Sequence, residues 1–245
     1  MISEAGGQAK IFKTTQDGRQ VACKAFLRQH NASSLVPKPE FEHQCLTQIK
    51  SDFVLKPTGF VPRADVRLPC GSKVLDNVAC LFTELCTSDL FDIVAEKGAV
   101  TDPDLLRSLF SQLMQAVEAT HSEGLAHLDI KLENVLVAND FSLRLCDFGF
   151  ARKADTRLSG SIGTQGWMPP EVLTGNHFYC GKKADVFSLG ILLFALAYGS
   201  PPFSLACANQ DRYYRLLVNK PELFFKLHPK TKEAFKASAL DSDLQ

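Results

Sequence analysis

The 245-residue chain carries no excess of charge of either sign, with Lys+Arg 27 set against Asp+Glu 27. That balance excludes the broad basic field of a nucleic-acid binder and the acidic run of a solvating tail. Its eight cysteines are Cys23, Cys45, Cys70, Cys80, Cys86, Cys146, Cys180 and Cys207, and none falls in a C-x-x-C pair. Without paired ligands a zinc site is not expected. Several of these thiols sit inside apolar runs such as VAC and RLC, which reads as reduced structural cysteine in a cytoplasmic protein. Met1 runs straight into polar residues and glycines, so no secretory leader is expected there. No apolar run reaches the ~20 residues needed to cross a bilayer. The longest, VFSLGILLFALAYG at 186–199, is stopped by Pro201 and Pro202 and reads as a helix buried in a core. There is no internal repeat and no low-complexity tract, and no feature sets an oligomeric state.

What is present suits a globular chain. Hydrophobic residues make up 45% and charged residues 22%, and the length allows one large domain or two lobes sharing a core. The first third reads as strands: KIFKTT and RQVACKAF flank Gln16-Asp17-Gly18, and Asp-Gly is a strong hairpin signal. A helix fits residues 38–50, with Phe41, Cys45 and Ile49 on one face. FVLKPTGFV (53–61) and VACLFTEL (78–85) read as two further strands, and the polar, turn-rich residues 62–77 as a long hairpin loop between them.

From Thr101 the pattern turns helical. Thr101 or Asp102 can cap, Pro103 fits a first turn, and Leu106, Leu109, Phe110, Leu113, Met114 and Val117 form a stripe that ends at Gly124. Two short strands follow, NVLV and LRLC, and then loop and helix, including the helical run DRYYRLLVNK. The expected architecture is therefore α+β, with a strand-rich lobe over residues 1–85 and a helix-rich lobe over 86–245.

One segment concentrates polar chemistry. H-L-D-I-K-L-E-N at 127–134 places an Asp, a Lys and an Asn within six residues. Asn134 stands just before strand NVLV and Asp147 just after strand LRLC. If those strands pair as a hairpin, its open end brings the two residues side by side. Two oxygen donors held together suit Mg²⁺, which also takes phosphate oxygens. On the same edge, Asp129 can offer a carboxylate to a hydroxyl proton and Lys131 a cation to a phosphate.

Together with D-F-G at 147–149, this segment resembles the catalytic loop and metal motif of the eukaryotic protein kinases. Four further pieces fall in the family's order: V-A-C-K at 21–24, E-H-Q-C-L at 42–46, G-T-Q-G-W-M-P-P-E at 163–171 and D-V-F-S-L-G at 185–190. The resemblance covers nearly the whole chain and implies a bilobal fold that transfers the γ-phosphoryl group of MgATP to Ser or Thr of a protein substrate. It assigns Lys24 to the α/β-phosphates and Glu42 to positioning Lys24. Asp129 would orient the substrate hydroxyl and receive its proton, Lys131 would neutralise the γ-phosphoryl, and Asn134 and Asp147 would hold Mg²⁺. Thr83 takes the position beside adenine, Glu84 and Cys86 would offer it backbone groups, Ala22 and Leu136 would sandwich it, and Asp89 would contact the ribose. Gly6 and Gly7 are what remains of a glycine-rich phosphate loop.

Plainer roles fit other residues. His127 reads as a structural residue buried against D-F-G, Asp185 as an acceptor for the catalytic-loop backbone, and Trp167 and Phe187 as packing residues. Thr164 is expected to bond Asp129 and Lys131, and Glu171 to anchor its segment through a buried ion pair. Thr156, Ser159 and Ser161 read first as a soluble loop, with regulation through Ser159 or Ser161 as the sharper alternative. Three departures from the family pattern stand out. Residues 2–11 lack the full glycine loop, no Arg follows Arg215 to pair with Glu171, and Leu128 stands where most relatives place a phosphate-gripping Arg. The first two favour a rival reading, a pseudokinase that binds nucleotide or acts as a scaffold, and point to a lobe incomplete at the C-terminal end. A small-molecule phosphotransferase is a third class, opposed by the peptide-positioning segment 163–171.

Overall fold

The computed structural model describes residues 3–5, 9–27, 38–67 and 74–234. Strands β1 (Ser3–Ala5), β2 (Ala9–Gln16) and β3 (Arg19–Phe26) open an antiparallel sheet. The β2–β3 turn is Asp17-Gly18, with φ of 50° and 77°. A two-residue hairpin turn that follows the strand twist needs two left-handed residues, and Asp-Gly meets that need at low cost. Helix α1 (Pro39–Gln48) buries Glu42, Cys45 and Leu46. Strands β4 (Pro57–Arg67) and β5 (Val74–Glu84) complete the sheet in the order β1-β2-β3-β5-β4.

The long loop expected over 62–77 is largely strand, since β4 runs on to Arg67 and β5 begins at Val74. Pro62 does not break β4 because the pairing register shifts between Val61 and Ala64. A proline has no N–H for a ladder, but a bulge on an edge strand tolerates it.

The second lobe contains β6 (Ser88–Asp89), α2 (Leu90–Lys97), α3 (Pro103–Ser122), β7 (Leu125–Ala126), β8 (Val135–Val137), β9 (Leu143–Leu145), β10 (Arg152–Lys153), α4 (Pro170–Thr174), α5 (Gly181–Tyr198), α6 (Arg212–Asn219) and α7 (Pro221–Leu227). β6-β8-β9 form one small sheet and β10-β7 another. Helix α2 is a finding that the apolar pattern alone does not signal. Asp89 caps it by accepting from the Asp92 N–H at 2.8 Å, and Gly98 ends it at φ 80°. Helix α3 has the expected cap, with Asp102 accepting from Asp104 and Leu105. Its buried face is Leu113, Ala116, Val117 and Thr120, while Met114, expected in the stripe, is turned half out to solvent. The strand expected over 53–61 begins late. Residues 53–56 leave the sheet, and Val54 pairs instead with Leu145 of β9, through Leu55 N–H to Leu145 O (3.0 Å) and Leu145 N–H to Phe53 O (2.8 Å).

One core joins the lobes. Cys45, Leu46 and Leu81 of the first lobe share a cluster with Leu113, Val117, Phe148, Leu192 and Leu196. The centre of that cluster is α5, the apolar run expected to be buried. Leu192, Ala195 and Leu196 are fully enclosed. Among the described residues no helix is long and apolar enough to cross a membrane, and all seven described cysteines are free.

Two faces of α5 give a test of this packing. Leu192→Ala should lower the unfolding free energy by roughly 2–5 kcal/mol, through lost burial and the cavity left behind. Val186→Ala, on the same helix but 61% exposed, should change it by about 0.5 kcal/mol or less. Urea denaturation of the two variants checks this, and equal losses would contradict the assignment of the core.

Candidate active site

The residues between β7 and β8 are held by buried polar contacts. His127 has no exposed surface. One ring nitrogen, Nε2, lies 2.9 Å from the Cys146 carbonyl and the other, Nδ1, accepts from the Asp129 N–H at 3.2 Å. The ring meets Phe148 edge-on at 4.6 Å. The Asp185 carboxylate, at the start of α5, accepts from the N–H groups of His127 (2.8 Å) and Leu128 (2.7 Å) and lies 2.8 Å from His121 Nε2. These are the structural roles that the sequence suggests for His127 and Asp185. They also hold a strained residue, since Leu128 has φ 66°. A left-handed residue with a side chain costs roughly 1–2 kcal/mol. Burying Leu returns roughly 1.5–3 kcal/mol, and each hydrogen bond to a charged acceptor about 1.5–3 kcal/mol, so the conformation is sustained.

A 3₁₀ turn, Leu132–Asn134, folds the loop back on itself. Asn134 Nδ2 then donates to the Asp129 carbonyl (2.8 Å) and to Asp129 Oδ2 (2.9 Å), which leaves the Asn134 amide oxygen for other contacts. Asp129 is 3% exposed. Its Oδ2 lies 3.1 Å from Lys131 Nζ, and its Oδ1 accepts from the Thr164 hydroxyl at 2.6 Å. Lys131 Nζ donates in turn to Thr164 Oγ1 at 2.8 Å, as expected of Thr164. The β8–β9 hairpin forms as expected, with Val135 opposite Leu145 and Cys146 N–H donating to Asn134 O at 2.9 Å. Asn134 thus lies one residue from Asp147 across the open end of the hairpin. Two hard oxygen donors at that spacing fit an oxygen-preferring cation.

Lys24 reaches this edge from β3. Its Nζ lies 2.8 Å and 3.0 Å from the two oxygens of Glu42 and 2.8 Å from Asp147 Oδ1. Two carboxylates share one ammonium here, and burial works against all three charges. For Lys24 burial lowers the pKa, but Glu42 and Asp147 together outweigh it and hold the ammonium above its ordinary value. Burial pushes Glu42 up to about 7 despite the pull of Lys24. Burial also opposes the charge on Asp147, but Lys24 overcomes it and holds that carboxyl below its ordinary range. The protein therefore keeps Asp147 ionised at the expense of Glu42.

The residues expected around a base are divided between the two lobes. Ala22 pairs across the ladder with Thr83, which is buried, and Asp89 pairs with Leu136. Glu84 N–H already donates to the Lys56 carbonyl at 3.0 Å, and its carbonyl accepts from the Thr83 hydroxyl at 3.2 Å, so of its backbone groups only the second lone pair of that carbonyl is left for a base. Cys86 is partly buried, and its thiol is pushed up to about 12 by burial. Asp89 spends one oxygen on capping α2 and its carboxylate also takes a backbone hydrogen bond from Phe91. Gly6 and Gly7 lie outside the described residues.

One expectation is corrected and one residue was overlooked. Glu171 is exposed and, among the described residues, makes no ion pair, so no buried charge there needs a partner. Its segment is tied instead through Trp167, whose carbonyl accepts from the Ser188 hydroxyl at 2.8 Å. Arg144 is the overlooked residue. It is 7% exposed on β9 and donates from Nε to Glu84 Oε1 at 3.1 Å. That same oxygen accepts the Lys56 N–H at 2.9 Å. A lone cation inside the apolar strand LRLC is the signal that marks it.

Glu42 carries a pH dependence. Its folded pKa of about 7 lies above its ordinary 4.5, so the folded state binds this proton more tightly than the unfolded chain. The stability it contributes is complete below pH 4.5 and is lost as pH rises to about 7. Asp147, shifted the other way from 3.8, contributes stability above 3.8 that is lost on acidification below it, outside that window. The stability difference between wild type and Glu42→Gln should therefore move against wild type by about 1–3 kcal/mol between pH 4.5 and 8. Urea unfolding across that range measures it, and a flat or opposite difference would refute the shift.

Comparison with known proteins bears on the same residues. A family model described as the protein kinase domain matches residues 5–242. The chain is similar to serine/threonine-protein kinase kin-29 of Caenorhabditis elegans, 36% identical over 139 residues, which is 56% of this chain and 17% of that protein. It is similar to serine/threonine-protein kinase chk1 of Schizosaccharomyces pombe, 39% identical over 140 residues, 54% of this chain and 27% of that one. With the liver/testis phosphorylase b kinase gamma catalytic chain of Mus musculus it is 36% identical over 129 residues, 50% of this chain and 32% of that one. The matched stretches thus cover less than a third of the length of these curated relatives. The family match, by contrast, leaves only a few residues of this chain outside it at either end, and the chain belongs to the protein kinase domain family.

Proposed function

We propose that the chain is a protein serine/threonine kinase that transfers the γ-phosphoryl group of MgATP to hydroxyls of a protein substrate. The observation that carries this reading is the triangle of Asp129, Lys131 and Thr164. A hydroxyl already rests between the carboxylate, to which it donates at 2.6 Å, and the ammonium, from which it accepts at 2.8 Å. A substrate Ser or Thr needs the same two contacts, one to take its proton and one to steady the group it attacks.

The remaining residues divide the work of positioning and charge neutralisation, which is the whole of catalysis in phosphoryl transfer without a protein nucleophile. Lys24, steered by Glu42 and held cationic, would grip the α/β-phosphates. Asp129 would turn the acceptor hydroxyl towards the γ-phosphoryl and take its proton. Lys131 would offset charge on the transferred group. Asn134 and Asp147 would hold Mg²⁺ through their amide and carboxylate oxygens. When bound, that ion would supply charge neutralisation across the phosphates. Ala22 and Leu136 would enclose adenine, with Thr83 beside it, the Glu84 carbonyl and Cys86 as its hydrogen-bonding backbone, and Asp89 on the ribose. Gly6 and Gly7 would approach the phosphates. The reading takes residues 1–85 and 86–245 as the two lobes. Free cysteines at every described position favour a reducing compartment such as the cytoplasm.

Incubation with MgATP and a mixed peptide library tests the proposal. Phosphate should appear on Ser and Thr peptides and vanish in Asp147→Ala. Asp129→Asn should cut turnover by about 10²–10⁴-fold, the scale of a lost general base, while nucleotide affinity stays within a few-fold. Nucleotide binding with no transfer would make the chain a pseudokinase instead, and phosphate only on sugars or other small molecules would sink the protein-kinase reading.

A further inference from the structure

Leu128 belongs to two structures at once. Its backbone lies in the loop that carries Asp129. Its side chain, only 6% exposed, leaves the main core and packs in a separate apolar cluster with Ala126, Leu158, Ile162, Met168, Val172, Tyr179 and Ala184. Four of these, Leu158, Ile162, Met168 and Val172, come from the stretch between D-F-G and the end of α4, and no cluster member is charged. That stretch is also strapped by its backbone. Leu158 and Tyr179 exchange hydrogen bonds at 2.9 Å and 3.4 Å, and Gly160 N–H donates to Gly175 O at 3.2 Å.

The other side of Leu128 touches the same stretch. A Cβ placed on Gly163 would lie 2.4 Å from the Leu128 carbonyl oxygen, and Gly163 has φ 114°. The Leu128 carbonyl and the Gly163 backbone are therefore in the closest contact that only a glycine permits. The next residue is Thr164, whose hydroxyl sits on Asp129 and Lys131. Side chain and carbonyl of one leucine thus fix both the path of residues 158–168 and the landing point of Thr164.

We infer that Leu128 is a positioning residue. Its apolar cluster latches residues 158–168 onto the catalytic loop and so delivers Thr164 to Asp129 and Lys131 without any phosphate on Thr156, Ser159 or Ser161. An ionic latch at this point would need a cation facing the segment, whereas the cluster, apart from the uncharged Tyr179 hydroxyl, is hydrocarbon, which neither attracts a phosphate nor requires one. The consequence for activity rests on the kinase reading above; the latch itself does not.

The test uses the full chain with Leu128→Ala, Leu128→Met, Leu158→Ala and the triple variant Thr156→Ala/Ser159→Ala/Ser161→Ala. Two readouts are taken, peptide and nucleotide kinetics and amide hydrogen exchange over residues 158–168. Leu128→Ala and Leu158→Ala should speed exchange of those amides about tenfold or more, while core amides of α5 change far less. Their kcat on peptide should fall on the order of 10–100-fold, as expected for misplaced catalytic groups, with KM for ATP nearly unchanged. Leu128→Met, which keeps apolar volume, should restore both to within a few-fold. The triple variant should match wild type in both readouts. If Leu128→Ala is too unstable to study, Leu158→Ala and Leu128→Met carry the comparison. Unchanged exchange in Leu158→Ala, or a triple variant that loosens the segment and is rescued by acidic substitutions, overturns the inference. Were the wild type to transfer no phosphate, the kinase reading would fail while the exchange data still decided the latch.

Discussion

A single buried carboxylate organises this protein. Asp185 has no exposed surface, and its contacts with His121 and the N–H groups of His127 and Leu128 satisfy its charge by hydrogen bonding. A charge so enclosed is tolerable only when such donors surround it. The donors are supplied by a backbone turned into a left-handed residue at Leu128, and that turn is what aims Asp129 at Lys131 and Thr164. Asp185 in turn is fixed because it lies near the start of α5, the most deeply buried helix among the described residues. Core, helix, strained loop and reactive edge therefore form one chain of dependence, in which the apolar run holds the polar site in place.

Charge at the site follows a similar economy of position. Lys24 is asked to serve Glu42 and Asp147 together, both within 3.0 Å. Burial opposes the charge on both. At Glu42 it wins over the pull of Lys24 and the pKa rises, whereas at Asp147, whose side chain is 34% exposed, Lys24 outweighs it and the pKa falls. A carboxylate kept charged where it meets solvent is the one that can face a cation and phosphates.

Much of this was legible in the residues. Short signals with a local cause translated directly: Asp17-Gly18 into its turn, Asp102-Pro103 into the start of α3, and the NVLV and LRLC strands into the hairpin that joins Asn134 to Asp147. What escaped depended on partners far away in the chain. Pro62 looked like a loop residue because nothing nearby reveals that β4 is an edge strand with a bulge there. Phe53-Val54-Leu55 looked like sheet because apolar strand residues do not announce which lobe they pair with. Glu171 is expected in a buried ion pair, yet it is exposed, and hydrogen bonding through Trp167 ties its segment down. Arg144 was hidden because its carboxylate partner lies sixty positions away, at the junction between lobes.

The departure of residues 53–56 from the sheet has a mechanical side. Helix α1 ends at Gln48, whose Nε2 donates to the Glu123 carbonyl at 3.1 Å, and the chain then zips onto β9 through Phe53 and Leu55 before it re-enters the sheet at Pro57. The trailing end of α1 is thus moored to the helical lobe, whereas Lys24 rides on the sheet. The helix that carries Glu42 is thus braced from two sides, by this mooring at its trailing end and by the Lys24 ammonium at 2.8 Å and 3.0 Å from its carboxylate, so the position of Glu42 is set by the helical lobe as well as by the sheet.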